Sequence, residues 1–492
     1  MKIEHWLTRF RYVGALLWVF GFILLAPLTM IPFSSQISFN FPVVLPFVVP
    51  AGLSLLLGGF LNRSIDFRPL SGKESLVVVS LGWIVVSIIG ALPLFLGLDI
   101  GFLNAIFEST SGFTTTGITV LQGLDSMPHH ILFWRSLTQW IGGLGILTLF
   151  LILVFRGEVS HKLFGAESHK IFSERPAPGL FHTLKILWSI YSLFTVVIGV
   201  VLFLEGLTWF DALNHALTAP STGGFSTHDA SIDYFRQAGY SNYRMIEFTF
   251  IWAMTLGGMS FVVHYRVLRG KLKALWEGLE IRLFWKIILG GLALVALSHF
   301  VNFGVSEAWD VIRYGLFQVV ALVTSTGYAT KDIGSMYFPT GAKIVFLVLM
   351  VVGGSVGSTA GGFKVLRVGI LGKMVARQIR SLSLPSRAVN LLIVDGEVIP
   401  TKEIRRIAAL LFAWMGFLLI GSLITAYFSN LGVLASVSGM FSAMGNMGPS
   451  YIPLEDWPGL HPIIRITYIV GMLAGRLEIL PIIMLFTRIV WR

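Results

Sequence analysis

Four short stretches rich in glycine and hydroxyl residues recur along the chain, and the chemistry open to them is coordination of a bare cation. They are Phe107–Thr119 (FESTSGFTTTGIT), Leu217–Thr227 (LTAPSTGGFST), Leu322–Thr330 (LVTSTGYAT) and Phe441–Ser450 (FSAMGNMGPS). One glycine superposes in all four: Gly117, Gly224, Gly327 and Gly448. An alkali cation stripped of water needs oxygens in its place, and rings of backbone carbonyls supply them. Glycine lets successive carbonyls turn inward without a Cβ clash. Ser and Thr hydroxyls add oxygens or tie the loop to its surroundings, and a short helix leading into the loop aims its negative C-terminal end at the cation. Any one of these stretches also reads as a turn between helices. Four in the same relative place do not.

Such loops need a scaffold that buries irregular backbone, and the composition specifies a membrane. The chain has 492 residues, 55% hydrophobic and 12% charged, with a mean hydropathy of +0.79, beyond the range of ordinary soluble domains. Apolar length predicts about ten spanning helices. Two come first, at 12–32 and 43–61; the others pair as 75–97 with 130–155, 184–205 with 246–268, 283–303 with 340–377 and 404–428 with 462–488. Each pair brackets one glycine-rich stretch, which is too short and polar to span and reads as a re-entrant half-helix with an extended return. The first apolar segment has no cleavage signature after it and is expected to be retained. The expected architecture is an all-α polytopic membrane protein. Two N-terminal helices (1–70) precede four helix–pore loop–helix repeats, 71–180, 181–280, 281–395 and 396–492, around a central pore.

The net charge of +11 is spread over helix ends and not gathered on a soluble domain. Lys2, Arg9 and Arg11; Arg63, Arg68 and Lys73; Arg156, Lys162, Lys170 and Arg175; Arg266, Arg269, Lys271, Lys273 and Arg282; and Arg367, Lys373, Arg377, Arg380 and Arg387 all fall on one side of the predicted topology. By the positive-inside rule that side is cytoplasmic. Both termini are then inside, and all four loops open from the outer face. Cysteine is absent, which excludes disulfides and thiolate metal sites. No phosphate-binding GxxxxGK[ST] motif and no H-E-x-x-H appears, so the chain reads as neither an ATPase nor a zinc protease, and not as an enzyme.

Two features point to control of a pathway. The run Gly353–Gly362 (GGSVGSTAGG), followed by Lys364, interrupts the third repeat's second helix. Each glycine costs about 1 kcal/mol against alanine in a helix. The run therefore reads as an unwound loop beneath the pore loops, a candidate gate of Gly353, Gly354, Ser355, Gly357, Ser358, Thr359, Gly361, Gly362 and Lys364, or else as small residues for close helix packing. In the last apolar run, Arg476 is expected to project below the pore loops and hinder cations, or to pair structurally. Glu478 is expected to brace a neighbouring helix. Glu108 is read as a tie between loop and scaffold or else as a lure for cations at the mouth, Asp211 and Asp310 as caps that complement the dipole at helix N-termini, His215 as packed in preference to a metal ligand, His129 and His130 as surface, and His228 with Asp229 as braces of an outer loop.

These motifs, with GFSTHDASI at Gly224–Ile232 and the two additional N-terminal helices, resemble the Trk/Ktr/HKT superfamily of potassium transporters, most closely its TrkH/TrkG branch. The resemblance covers essentially the whole chain. It implies a selectivity filter of Thr115, Thr116, Gly117 and Ile118; Thr222, Gly223, Gly224 and Phe225; Ser325, Thr326, Gly327 and Tyr328; and Asn446, Met447, Gly448 and Pro449. K+ would sit on the carbonyls of Thr116, Gly117, Gly223, Gly224, Thr326, Gly327, Met447 and Gly448, with no organic cofactor. It also implies a homodimer in the bacterial inner membrane. A cytosolic RCK-type nucleotide-binding subunit would dock on basic loops such as Gly372–Arg387, and the glycine-rich run would act as a gating loop. Sodium-favouring relatives carry Ser at the first filter glycine; Gly117 fits potassium. The alternative is a secondary transporter coupling cation uptake to a sodium or proton gradient, which also uses broken helices.

Overall fold

The structure, a computed structural model, describes residues 2–33, 40–63, 70–145, 148, 180–385 and 390–487. Arg68, Arg156, Lys162, Lys170, Arg175 and Arg387 lie outside the described residues. The described elements are helices apart from one small hairpin. α1 (Lys2–Ile23) and α2 (Phe41–Arg63) come first. They pack so closely that a Cβ on Gly58 would stand 2.5 Å from the Trp18 backbone nitrogen. The first unit is α3 (Gly72–Gly97), α4 (Phe102–Phe113) and α5 (His129–Gly143); the second is α6 (Leu180–Leu204), α7 (Trp209–Thr218), α8 (Asp233–Gln237), α9 (Tyr243–Gly258) and α10 (Phe261–Leu268). The third is α11 (Leu279–Phe303), α12 (Ala308–Val323), α13 (Thr340–Val352) and α14 (Val365–Ser381), followed by the antiparallel strands β1 (Ile393–Val394) and β2 (Glu397–Val398). The fourth is α15 (Thr401–Phe428), α16 (Val433–Gly445), α17 (Pro462–Arg476) and α18 (Leu480–Leu485).

Among the described residues, length and apolarity let six helices cross a bilayer singly, α1, α2, α3, α6, α11 and α15, and a seventh if α9 and α10 count as one span bent by 105°. α3 shows why a helix starts where it does. Ser71 Oγ accepts from Glu74 N–H, and the Glu74 carboxylate accepts from Ser71 N–H at 2.8 Å, a reciprocal cap. Outward faces carry large apolar side chains such as Phe412, Val196 and Leu297, exposed here and suited to hydrocarbon.

Among the described residues the second helix of every unit stops or turns short of a full span, not only that of the third. α5 stops at Gly143, α9 turns at Met259–Ser260, α13 ends before Gly353, and α17 ends before Glu478 and Ile479, both left-handed at φ 62° and 66°. At three of these breaks a glycine sits where the end of a neighbouring short helix or its return presses, whereas Gly353 faces Gly361 and Gly362 of its own segment. A Cβ on Gly142 would lie 1.9 Å from the Phe113 carbonyl oxygen, on Gly258 2.6 Å from Thr324 Cγ2, and on Gly475 2.1 Å from the Met444 oxygen.

Gly142→Ala therefore overpacks this contact, at a cost of about 1–3 kcal/mol. It should lower the thermal unfolding midpoint of the detergent-solubilised protein. Gly59→Ala, with nothing within 4 Å, should leave it unchanged or slightly raised, since alanine favours the helix. Equal responses would disprove the close approach.

Candidate functional site: four returns and the segment beneath them

The four short helices α4, α7, α12 and α16 end in one shared backbone pattern. Thr115, Thr222, Ser325 and Asn446 are left-handed, with φ of 53°, 53°, 53° and 51°. Two residues on, Gly117, Gly224, Gly327 and Gly448 are left-handed again, at 79°, 78°, 81° and 94°. The same bond closes each turn: the intervening residue's N–H donates five residues back, Thr116 to Ser111 at 2.9 Å, Gly223 to Thr218 at 3.0 Å, Thr326 to Ala321 at 2.9 Å and Met447 to Ser442 at 3.1 Å. Alternating hands turn successive carbonyls toward one side, the geometry a cation ligand needs. A non-glycine residue held left-handed costs about 1–3 kcal/mol and persists only where its surroundings impose it.

The returns also meet in sequence. A Cβ on Gly117 would lie 2.3 Å from the Gly223 oxygen, on Gly224 1.9 Å from that of Thr326, on Gly327 1.7 Å from that of Met447, and on Gly448 3.1 Å from that of Thr116. Each glycine abuts the next unit's carbonyl, and the fourth abuts the first. Flanking residues Thr116, Ile118, Gly223, Phe225, Thr326, Tyr328 and Met447 are buried, whereas the four glycines, with Pro449, remain partly exposed.

Polar side chains lock the returns from behind, and most were not singled out from sequence. Gln139 clamps the second: its Nε2 donates to the Gly223 carbonyl at 2.6 Å and its Oε1 accepts from Phe225 N–H at 3.0 Å. Gly223 owes its identity to this clamp, since a Cβ would stand 2.2 Å from Gln139 Oε1. Its carbonyl is thus partly engaged, although a carbonyl oxygen keeps a second lone pair. Glu108 is the expected tie. Its carboxylate accepts from Thr119 Oγ1, Val120 N–H and, at 2.8 Å, Arg135 Nε. Arg135 donates onward to the Ser226 carbonyl at 3.2 Å and lies 4.1 Å over the Phe225 ring. Further ties join the other units: Arg313 to Glu247 at 2.6 Å, Tyr451 Oη to the Lys343 carbonyl at 2.5 Å, Arg465 to Asn104, and Asn446 Nδ2 to Thr116 Oγ1 at 2.9 Å. A lone Arg or Gln in an apolar helix was the available signal.

The segment 353–364 lies directly beneath. Gly353, Gly357, Gly362 and Lys364 have φ of 70°, 73°, 77° and 83°, so no helix can run through it. Ser355 N–H donates to the Gly258 carbonyl at 2.9 Å, and Ser358 Oγ to that of Ser355 at 2.6 Å. Thr359 Oγ1 donates to the Pro220 carbonyl at 2.8 Å, Gly361 N–H donates to Ser325 Oγ, and a Cβ on Gly361 would meet the Gly445 oxygen at 2.4 Å. A Cβ on Gly354 would meet Ala360 Cβ at 2.5 Å. Lys364 Nζ donates to the Ala360 carbonyl. Glu280 accepts from Val356 N–H at 2.6 Å. Arg476 completes the underside: it donates to the Gly142 and Gly143 carbonyls at 2.6 Å each, to the Thr359 carbonyl at 2.7 Å and to Thr115 Oγ1 at 3.2 Å. Glu478 braces a neighbouring helix as expected, through Arg367 at 2.5 Å.

Three expectations need correction. Asp211 lies in the first turn of α7, where its charge complements the dipole as expected, but it does not cap the helix; Thr208 does, accepting from Asp211 N–H at 3.0 Å, while the Asp211 carboxylate accepts from the Thr208 and Thr227 hydroxyls. Asp310 makes no capping bond among the described residues; it pairs with Arg313 at 3.0 Å in the first turn of α12. His130 is buried against Phe47, and His129 stacks on Phe210 at 3.9 Å, so neither is a free surface residue. The outer brace stands: Asp229 accepts from Gly123 and Leu124 N–H, and His228 Nδ1 lies 2.5 Å from Asp125 Oδ1 while its Nε2 lies 3.3 Å from Asp211 Oδ1. Among the described residues no cluster of His and acidic side chains suits a bound metal.

The family model of TrkH, described as a cation transport protein, matches residues 60–490. The chain is 31% identical over 449 residues to the Trk system potassium uptake protein TrkH of Escherichia coli K12, covering 89% of this chain and 91% of that one. It is 30% identical to the protein of that name from Vibrio parahaemolyticus, over 98% of each chain. The crystal structure of the potassium transporter TrkH from Vibrio parahaemolyticus superposes with a TM-score of 0.85 at 28% identity, over 100% of both chains.

Two measurements probe the scaffold. Glu108→Ala leaves Arg135 charged and buried without its partner, a loss of about 3–5 kcal/mol. The added change Arg135→Met should recover much of it in thermal unfolding, and no recovery would refute the pairing. Burial lowers the His228 pKa, but its hydrogen bonds to Asp211 and Asp125 outweigh this and hold it above the ordinary 6.5. The brace is therefore complete below 6.5 and weakens as pH rises through the raised value. The unfolding midpoint should fall on that alkaline limb, and His228→Gln should remove this part of the dependence.

Proposed function

Because the chain belongs to the TrkH family of cation transport proteins, we propose that it is the ion-conducting subunit of a Trk-type potassium uptake system in the bacterial inner membrane, with the four returns as its selectivity filter. The family is one of cation transporters and not a class of enzymes. One observation carries the filter assignment: four left-handed pairs at matching positions, each glycine against the next unit's carbonyl and the fourth against the first. Two turns of alternating hand per unit supply stacked oxygens for a dehydrated cation. The partly exposed glycines mark the lining, and K+ is cargo on their carbonyls and those of the preceding residues.

The segment 353–364 is the gate in this reading. What supports this is that its bonds to Ser325 and Pro220, its contact with Gly445, and the Arg476 link to Thr115 together reach all four returns. Arg476 adds positive charge under the filter and sets a barrier to cation entry and exit. Both termini are inside, following the basic helix ends. The partners are a second copy of the chain and a cytosolic RCK-type subunit on the basic segment 372–387. The broken second helices equally suit a carrier coupled to protons or sodium, and imposed gradients in the flux assay separate the two.

Rubidium or potassium flux into proteoliposomes tests the reading. Gly117→Ser places a side chain against the Gly223 carbonyl at a φ of 79°. It should cut discrimination against sodium about tenfold, the equivalent of ~1.4 kcal/mol. An unchanged ratio in folded protein would remove Gly117 from the filter.

A further inference from the structure

The basic end of α11 holds a cavity that the transport pathway does not use. It has a volume of ≈ 270 Å³ and is lined by Leu279, Arg282, Leu283 and Lys286 of α11, Lys373 of α14 and Asp395 of the β1–β2 turn. Three cations thus face one carboxylate. That carboxylate is already engaged, since its two oxygens accept from Leu279 N–H at 2.8 and 3.0 Å. Lys373 Nζ reaches the Ile393 carbonyl at 2.8 Å and Arg282 Nε the Trp276 carbonyl at 3.2 Å, which positions both cations but neutralises neither. Lys286 makes no hydrogen bond or ion pair among the described residues. The excess charge calls for an anion, and a guanidinium with two ammonium groups suits a phosphate.

The surroundings identify what carries the phosphate. Arg282 and Lys286 are four residues apart and share a helix face. The same face continues through Leu289, Leu297 and Val301, exposed by 64%, 58% and 75%. From Lys286 to Leu297 the helix rises about 16 Å, roughly half of a ~30 Å hydrocarbon core. Trp276 and Trp285 lie together at the same level, 5.6 Å between rings, where interfacial aromatics belong. Charge above and a leucine-rich strip below is the shape of one phospholipid.

We propose that this cavity binds the phosphate headgroup of an anionic lipid, whose acyl chains lie along the Leu289–Leu297–Val301 face of α11. On the orientation proposed above the leaflet is the cytoplasmic one; the site itself does not depend on that orientation.

Native mass spectrometry of the full chain in neutral detergent, titrated with dioleoylphosphatidylglycerol, tests the proposal. The chain should retain this lipid over dioleoylphosphatidylcholine. Arg282→Gln with Lys286→Gln should weaken retention about thirtyfold, the loss expected for two interfacial cations. Lys286→Gln alone, at an exposed position without a partner, guards against misfolding and should weaken it by a smaller factor. Equal retention of the two lipids, or unchanged retention in both variants, would overturn the proposal. So would inorganic phosphate that raises the unfolding midpoint as much as phosphatidylglycerol does, because the acyl strip would then play no part.

Discussion

Backbone that leaves helical geometry inside a membrane must find its hydrogen bonds within the protein, and it must do so where side chains leave little room. The four returns meet both demands through the close approach of one unit of the chain to the next. Gly117, Gly224 and Gly327 stand where a Cβ would fall within 2.3 Å of a neighbouring carbonyl oxygen. The same constraint reaches outward. Gly142, Gly258 and Gly475 let the second helices come against the short helices or their returns, and those helices break where they do so.

Charge at this depth is arranged around the returns, where arginines are paired with specific carboxylates. Arg135 is held by Glu108 and extends to Ser226, Arg313 is held by Glu247, and Arg367 by Glu478. Such pairs add little net stability once desolvation is counted, but losing one partner is expensive. Their value here is register: each fixes one element against another from a distant part of the chain. Gln139 does the same with an amide and requires Gly223 opposite it.

The units are alike at the returns and unlike beneath them. Among the described residues only the third carries the long glycine-rich interruption, and its bonds run to the second and third units and to Arg476 of the fourth. A segment with so many glycines can adopt other backbones at small steric cost. Its present position is held by named bonds to Pro220, Gly257, Ser325 and Glu280, which another conformation would exchange.

Residue type and spacing along the chain were enough to identify the membrane class, the four matching stretches, Gly117, Gly224, Gly327 and Gly448, and the break after Val352, because long apolar runs and glycine clusters are local signals. Glu108 as a tie and Glu478 as a brace were also legible, since a charge in an apolar run must find a partner. Tertiary structure alone decided who those partners are, the order in which the returns meet, and the breaks in the other three second helices. A pair such as Gly142–Gly143 costs a helix about 2 kcal/mol, which weakens it without fixing where it ends. The helix ends there because a short helix and a return from another part of the chain occupy the space, and sequence-local energetics hold no record of that neighbour. The burial of His130, the capping of α7 by Thr208 in place of Asp211, and the Gln139 clamp on Gly223 have the same origin: each depends on what folding brings alongside.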